Sequence, residues 1–323
     1  MTLQQLRYVI TIADRGSMNE AAKQLFISQP SLSGAVRELE EETGISLFLR
    51  SNRGIVMTPE GEEFLGYARQ VTEQYRLLSE KYIDKKSKKK FSVSIQHYSF
   101  AVKAFVEVVK KVGMEEYEFA IYETRTCEII ENVKNFKSEL GILYLNEFNG
   151  QVMAKILREN NLEFKELFEC DTFVYLWSGH PLAKKEVIQM EELEEYPCLA
   201  FDQGKSNSFY LSEEMKSTYD YKKLIKANDR ATSLNLMRGL NAYTLCSGII
   251  CEELNGSEYR AVPLAESEKM TIGYIQRKGS MISDIGKLFI KEISVYVKGA
   301  EPGETVCCGT GIQKGEKGHG RTI

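Results

Sequence analysis

The chain changes character at Lys85-Lys86-Ser87-Lys88-Lys89-Lys90. Up to this run, apolar residues recur at helical spacing; beyond it come short, β-rich stretches such as Phe91-Ser92-Val93-Ser94-Ile95. Periods of 3.6 and of 2 cannot share one element, so two unlike folding units must meet near residue 88. Charge divides at the same place. Residues 1–90 hold 14 Lys+Arg against 12 Asp+Glu, or +2, whereas the remainder holds 28 against 34, or −6. The lysine run itself suits a solvated helix end facing the negative pole of the dipole, with phosphate contact as its alternative.

The length of 323 residues allows two or three domains, each burying its own core, and 43% hydrophobic with 27% charged residues excludes a largely disordered or fibrous chain. Uncharged apolar stretches such as Phe173–Trp177 fall far short of the ~20 residues that cross a bilayer. The start, Met1-Thr2-Leu3-Gln4-Gln5, has neither the basic nor the apolar region of a secretory signal. A cytoplasmic protein without a membrane partner is therefore expected. Seven cysteines with no CxxC pair read as free thiols of a reducing compartment, and three scattered histidines offer no metal site. No cofactor is expected.

Leu3, Leu6, Val9, Ile10 and Ala13 form a helical stripe that Asp14-Arg15-Gly16 ends. Ser17 then reads as an N-cap, with Glu20 completing a capping-box pattern before Ala21, Ala22 and Leu25. After a tight turn at Phe26-Ile27, Ser28 caps a third helix with Pro30 in its first turn, where a missing N–H costs little. Leu32, Val36 and Leu39 form its buried stripe, leaving Gln29, Ser31, Ser33 and Arg37 facing outward. Two short helices around a turn, the second presenting small polar groups and an arginine, suit a reader of the DNA major groove. Gln can pair with adenine, Ser with several bases, Arg with guanine or phosphate.

Phe48–Met57 reads as two strands around a turn at Asn52 and Gly54, a wing whose Arg50 and Arg53 would meet phosphates or a narrow minor groove. Thr58-Pro59-Glu60-Gly61 opens a long helix, to about Lys86 and roughly 40 Å long. Its Phe64, Ala68, Val71, Tyr75, Leu78 and Tyr82 form a heptad seam that calls for a partner helix.

The run from Leu3 through Leu65 resembles the DNA-binding module of LysR-type transcriptional regulators. The resemblance is carried by Ala21-Ala22, Ser28-Gln29-Pro30-Ser31-Leu32-Ser33, Arg37-Glu38-Leu39-Glu40, Gly44, Leu47-Phe48, Arg50-Ser51, Arg53-Gly54 and Thr58-Pro59-Glu60-Gly61. It implies a winged helix-turn-helix over 1–58, with Ser17, Gln29, Pro30, Ser31, Ser33, Arg37, Arg50 and Arg53 as candidate DNA contacts. It further implies a linker and dimerisation helix over 59–88, antiparallel helix pairing, and association of homodimers into a homotetramer. Gly34 departs from the pattern: the family commonly places Arg or Gln there, so a base contact is missing. Leu49 replaces a commonly acidic residue.

Beyond residue 90 strand-like and helical stretches alternate, at Phe91–Gln96, Phe100–Lys111, Glu118–Glu123, Cys127–Phe136 and Glu139–Leu145, which implies a parallel sheet covered by helices. Glu163–Phe168 leads to Asp171–Ser178. A second α/β unit follows, with strands near Cys198–Phe201, Leu224–Ala227 and Leu245–Ile250. Met270–Gln276 and Ile282–Val297 return to the first unit. The expected fold class is thus α/β overall, and the order resembles the two-lobed, type 2 periplasmic-binding-protein-like effector-binding domain of the same family. That domain would span 89–298, with lobe I at 89–163 and 267–298 and lobe II at 164–266. Ligands of open α/β sheets sit beyond the carboxyl ends of strands, which selects Ser99, Thr124, Arg125, Thr126, Gln203 and Asp229 as candidates for a small polar or anionic effector. Ser99 is expected to cap the helix that follows it.

Cys170 and Cys198 invite comparison with a peroxide-responsive pair, but nothing around them argues for a lowered thiol pKa. Cys246 and Cys251 read as core, His97 as a candidate ligand contact, His180 as a turn residue and Trp177 as core. The tail from Gly299 to Ile323, with seven glycines in 25 residues and Cys307-Cys308, is expected to be disordered. The predicted function is transcription regulation by a cytoplasmic, effector-controlled DNA-binding protein whose partners are double-stranded DNA, itself, a small molecule and, in a further role, RNA polymerase. One rival is a small-molecule-binding protein whose helical module only mediates association; Arg50, Arg53 and the polar third helix oppose it. The other is an enzyme using the cleft, for which the sequence offers no catalytic constellation.

Overall fold

The computed structural model describes residues 1–51, 54–82, 88–113, 116–204, 208–295 and the backbone of 306–307. Arg53, the predicted end of the linker helix at 83–87 and nearly all of the predicted tail lie outside the described residues, as does the side chain of Arg50. No helix among those described is long and apolar enough to cross a membrane.

Helix α1 (Leu3–Arg15) starts in a reciprocal cap formed by Thr2 and Gln5 and ends at Gly16, whose φ of 62° favours glycine. Helix α2 (Met18–Gln24) is capped by Ser17, which accepts the Glu20 N–H. The predicted capping box is left half-made, because the Glu20 carboxylate turns to Lys23 at 2.8 Å. Ser28 caps α3 (Gln29–Thr43), which ends at Gly44. Leu32 and Val36 pack on Ile12, Ala21 and Ala22, while Leu39 joins Val9, Leu47 and Leu65.

Strands β1 (Phe48–Ser51) and β2 (Gly54–Met57) pair antiparallel, Phe48 opposite Met57. Glu40 anchors their start, accepting the Leu47 N–H at 2.6 Å. Buried Thr58 ties the wing to the next helix: its hydroxyl donates to the Ser46 carbonyl at 2.6 Å and accepts the Gly61 N–H at 2.8 Å. A Cβ on Gly61 would sit 2.2 Å from the Leu47 carbonyl oxygen, so the close crossing requires glycine. Helix α4 (Pro59–Tyr82) spans roughly 36 Å. Its predicted seam divides. Ala68 is buried by the chain's own α1, whereas Val71, Tyr75, Leu78 and Tyr82 are exposed.

The second part begins with β3 (Lys89–Ile95), α5 (Ser99–Val112), β4 (Tyr117–Glu123), α6 (Thr126–Lys134), β5 (Leu140–Leu145), α7 (Gly150–Glu159) and β6 (Leu162–Cys170). The sheet order is β4-β3-β5-β13-β6, with β13 at Met270–Arg277. β4, β3 and β5 are parallel to one another, as the βαβαβ order predicts; β13 runs antiparallel to both its neighbours, which makes the complete sheet mixed. The difference follows from connectivity. β13 arrives from another unit rather than through a βαβ crossover, and nothing fixes it parallel.

That other unit comprises β7 (Phe173–Trp177), the short α8 (Met190–Leu193), β8 (Cys198–Phe201), β9 (Leu224–Ala227), α9 (Arg230–Leu240), β10 (Thr244–Cys246), β11 (Ile249–Ile250), the short α10 (Glu252–Asn255) and β12 (Tyr259–Pro263). β7 pairs antiparallel with β10 and β12, while β8 and β9 run parallel. The single predicted strand at Leu245–Ile250 is broken at Gly248, whose φ is 75° and whose missing Cβ leaves room for the Phe173 ring. After β13, α11 (Asp284–Val295) packs on α5 over a core that includes Phe91, Phe100 and Phe289.

Candidate functional site

Two constellations on the molecule can carry function. The first is the outer face of α3. Ser28 and Ser31 hydroxyls meet at 2.7 Å, Gln29 donates to the Ser33 hydroxyl at 2.8 Å, and exposed Arg37 pairs with Glu41 at 2.8 Å. Pro30 and Ser31 are exposed; Gln29, Ser33 and Ser17 are half-buried. The polar groups thus hold one another in place on one helix face, from which they can exchange partners with base edges. Phe26, at the turn before α3, has φ 54° and is 95% exposed, so an aromatic ring stands beside this face. Gly34 lies on the same helix, exposed, with nothing within 4 Å of an added Cβ.

The second constellation lies where the two α/β units meet. Thr126, at the start of α6, donates its N–H to the Gln203 side chain at 3.1 Å and accepts Gln96 Nε2 at 2.7 Å. Arg125 grips Asp202 through Nε to the carbonyl at 2.9 Å and Nη2 to the carboxylate at 2.8 Å. Arg230 reaches back to Glu123 at 2.7 Å. Glu213 accepts the His97 N–H at 3.0 Å and Gln203 Nε2 at 3.0 Å, while His97 Nδ1 lies 2.7 Å from it and the imidazole stacks on Phe201 at 3.5 Å. These contacts clamp one unit on the other. They enclose a cavity of about 90 Å³ lined by both.

Of the six strand-end ligand candidates, Ser99 alone lines this cavity. It is the first helical residue of α5, not its cap; that place is Tyr98's, whose side chain makes no capping bond. Arg125, Thr126 and Gln203 belong to the clamp beside it. Thr124 bonds Glu128, and exposed Asp229 caps α9 by accepting Thr232 N at 2.8 Å, which holds its carboxyl below the usual range. His97 does line the cavity; His180 sits in the expected turn and is buried there, accepting the Leu182 N–H through Nδ1 and facing the Asn241 carbonyl. Burial lowers its pKa. Sequence reasoning missed Glu213 and Glu214, both 6% exposed, which sit in an irregular stretch without periodicity.

Burial pushes the Cys170, Cys198 and Cys246 thiols up to about 12, the opposite of thiolate activation. No cluster of metal-ligating side chains occurs among the described residues.

Capped helices around a turn, a wing beside them and a polar recognition helix define a DNA-binding regulator of the winged helix-turn-helix class. Residues 3–62 match the family model for bacterial regulatory helix-turn-helix proteins of the lysR family, and residues 115–294 match the LysR substrate binding domain. The chain belongs to the LysR family of transcriptional regulators, which are not enzymes. It is 23% identical to the uncharacterized HTH-type regulator YbhD of Escherichia coli over 292 residues, covering 89% of both chains. Full-length OxyR from Pseudomonas aeruginosa shares its fold with a TM-score of 0.63 at 20% identity, over 91% of this chain and 94% of that one. Full-length CbnR in complex with its target DNA matches at TM-score 0.53 and 17% identity, over 91% and 99%.

Proposed function

We propose that this regulator reads DNA through α3 and its wing and is controlled by a small polar effector held between its two α/β units. The division is a reader at 1–58, a linker helix at 59–88 and an effector-binding domain at 89–298, whose lobe boundary falls after β6, paired with β13 through Cys170, rather than at the expected 163/164. Gln29, Ser31 and Ser33 read bases; Arg37, Arg50, Arg53, Ser17 and Pro30 meet the backbone. The exposed Val71, Tyr75, Leu78 and Tyr82 stripe favours helix pairing into a dimer, with tetramer formation and contact with RNA polymerase as the further steps of assembly.

The observation that carries the effector reading is the clamp. Every lobe-to-lobe bond in it is polar, and opening it exposes both sides of one cavity, so a ligand with different contacts in the two states shifts the equilibrium between them. The anionic effector expected from Arg125 and Thr126 finds both groups already engaged by Asp202 and Gln203.

A salt-dependent gel shift on the DNA upstream of the protein's own gene tests the reader. Gln29→Ala should relax preference at one base pair by roughly 1–3 kcal/mol. Arg37→Ala should weaken all sequences and reduce the salt slope by about 1. A folded protein that binds no DNA sequence specifically would leave the helical module as an association device only.

A further inference from the structure

The cavity between the units has a sign. Its wall is largely apolar, including Phe100, Leu199, Met237, Leu245, Ile250 and Met270, yet Glu213 and Glu214 both line it. The two acids are not equivalent. Glu213 is fully engaged by the His97 amide, the His97 ring and Gln203. Glu214 accepts the Phe201 N–H at 2.7 Å and is also hydrogen-bonded by the Glu213 and Glu214 amides, yet burial first, and then Glu213, push its carboxyl up to about 8. A buried acid beside an open volume without a cation is costly to keep ionised.

The positive groups nearby are occupied. Arg230, on the cavity's lining, pairs with Glu123 at 2.7 Å, and Arg125 pairs with Asp202. The positive end of α5 would ordinarily welcome an anion, but Glu213 already lies against the amide of His97 just before it. An incoming carboxylate would face two acids and no free cation. An ammonium would face Glu214 and the Ser99 hydroxyl, which lines the same cavity and has no hydrogen-bond partner among the described residues.

We propose that the effector of this cleft is a small amine with a compact apolar body, its ammonium seated against Glu214 and its hydrocarbon against the Met237 and Leu245 wall. This rests on reading the cleft as the effector site. The cavity is small, about 90 Å³, and open at one side, so the probes are short and flexible: n-butylamine, n-butanol and butyrate share a skeleton and differ in charge.

Calorimetric titration of the full-length protein with these three probes is the test. Butylamine should bind about ten-fold or more tighter than butanol, with butyrate weaker than either. Glu214→Gln should erase the advantage of the amine over the alcohol, and Met237→Trp, which fills the cavity, should abolish both. Butyrate binding as tightly as butylamine, no amine binding up to tens of millimolar, or an amine preference that survives Glu214→Gln overturns the proposal. Equal binding of butanol and butylamine, both lost in Met237→Trp, overturns only the charge preference and keeps the cleft as the site. Amine binding untouched by Met237→Trp overturns the cleft reading itself. The wild-type ranking decides even if a variant does not fold.

Discussion

Glu214 ties stability to pH in a direction opposite to most carboxylates. Its folded-state value of about 8 lies above the ~4.3 of an unfolded glutamate. The native state therefore holds the proton more tightly, and the contribution present below pH ~4.3 is lost as pH rises through about 8. Removing the acid should remove that loss. Thermal unfolding of Glu214→Gln, compared with wild type at pH 5 and pH 8, should show the variant gaining ground at the higher pH, on the order of a few kcal/mol; a constant difference would contradict the assignment. Gly34 offers a second test at this scale, since an added Cβ meets nothing and its helix position is exposed. Gly34→Ala should raise stability by about 1 kcal/mol in denaturant titration, and Gly34→Arg should alter base preference in a selection from random DNA.

Among the elements, the helices of the reader were legible because their apolar spacing and caps agree, and α1 ends at the glycine that the sequence marks, whereas the stop of α3 at Gly44 was not read from the sequence. The Thr58–Gly61 phrase was legible as a helix start but not as a crossing, since the Leu47 carbonyl that excludes a side chain at Gly61 is brought there only by the wing. Gly61→Ala should consequently cost more than the ~1 kcal/mol by which alanine ordinarily favours a helix over glycine, reversing the sign seen at Gly34. Helix α7 escaped notice: it opens on Gly150 with no side-chain cap at Asn149. The direction of β13 was likewise hidden, because an alternating pattern reads the same either way. The cleft was half legible. Strand-end loops pointed to Ser99, Arg125, Thr126 and Gln203, but Glu213 and Glu214 come from a stretch without period and are united with them only by folding. For α4, Val71→Glu with Leu78→Glu should shift sedimentation toward a smaller species if that stripe pairs with a second copy.

At the scale of the whole molecule, the clamp joins two partly exposed ion pairs, Arg125–Asp202 and Arg230–Glu123, each contributing ~0–1 kcal/mol, to the buried bonds of Thr126, Gln203, Glu213 and His97, so the ion pairs are the part that a modest ligand can alter. Asp202→Ala, which frees Arg125, should make the cleft more open, read as increased proteolytic sensitivity of the stretch around Gly204, with little change in DNA affinity. The other end of α6 touches the linker and, through it, the reader. Asn135, the residue that ends α6, accepts Arg69 Nη1 of α4 at 2.9 Å, and the same guanidinium reaches Asp14 of α1 at 2.5 Å. A helix roughly 14 Å long therefore stands with one end in the cleft and the other on a hub shared by linker and reader. Under the proposed effector control, a tilt of α6 at Arg125 would reach the reader through Arg69, without any intervening segment having to unfold.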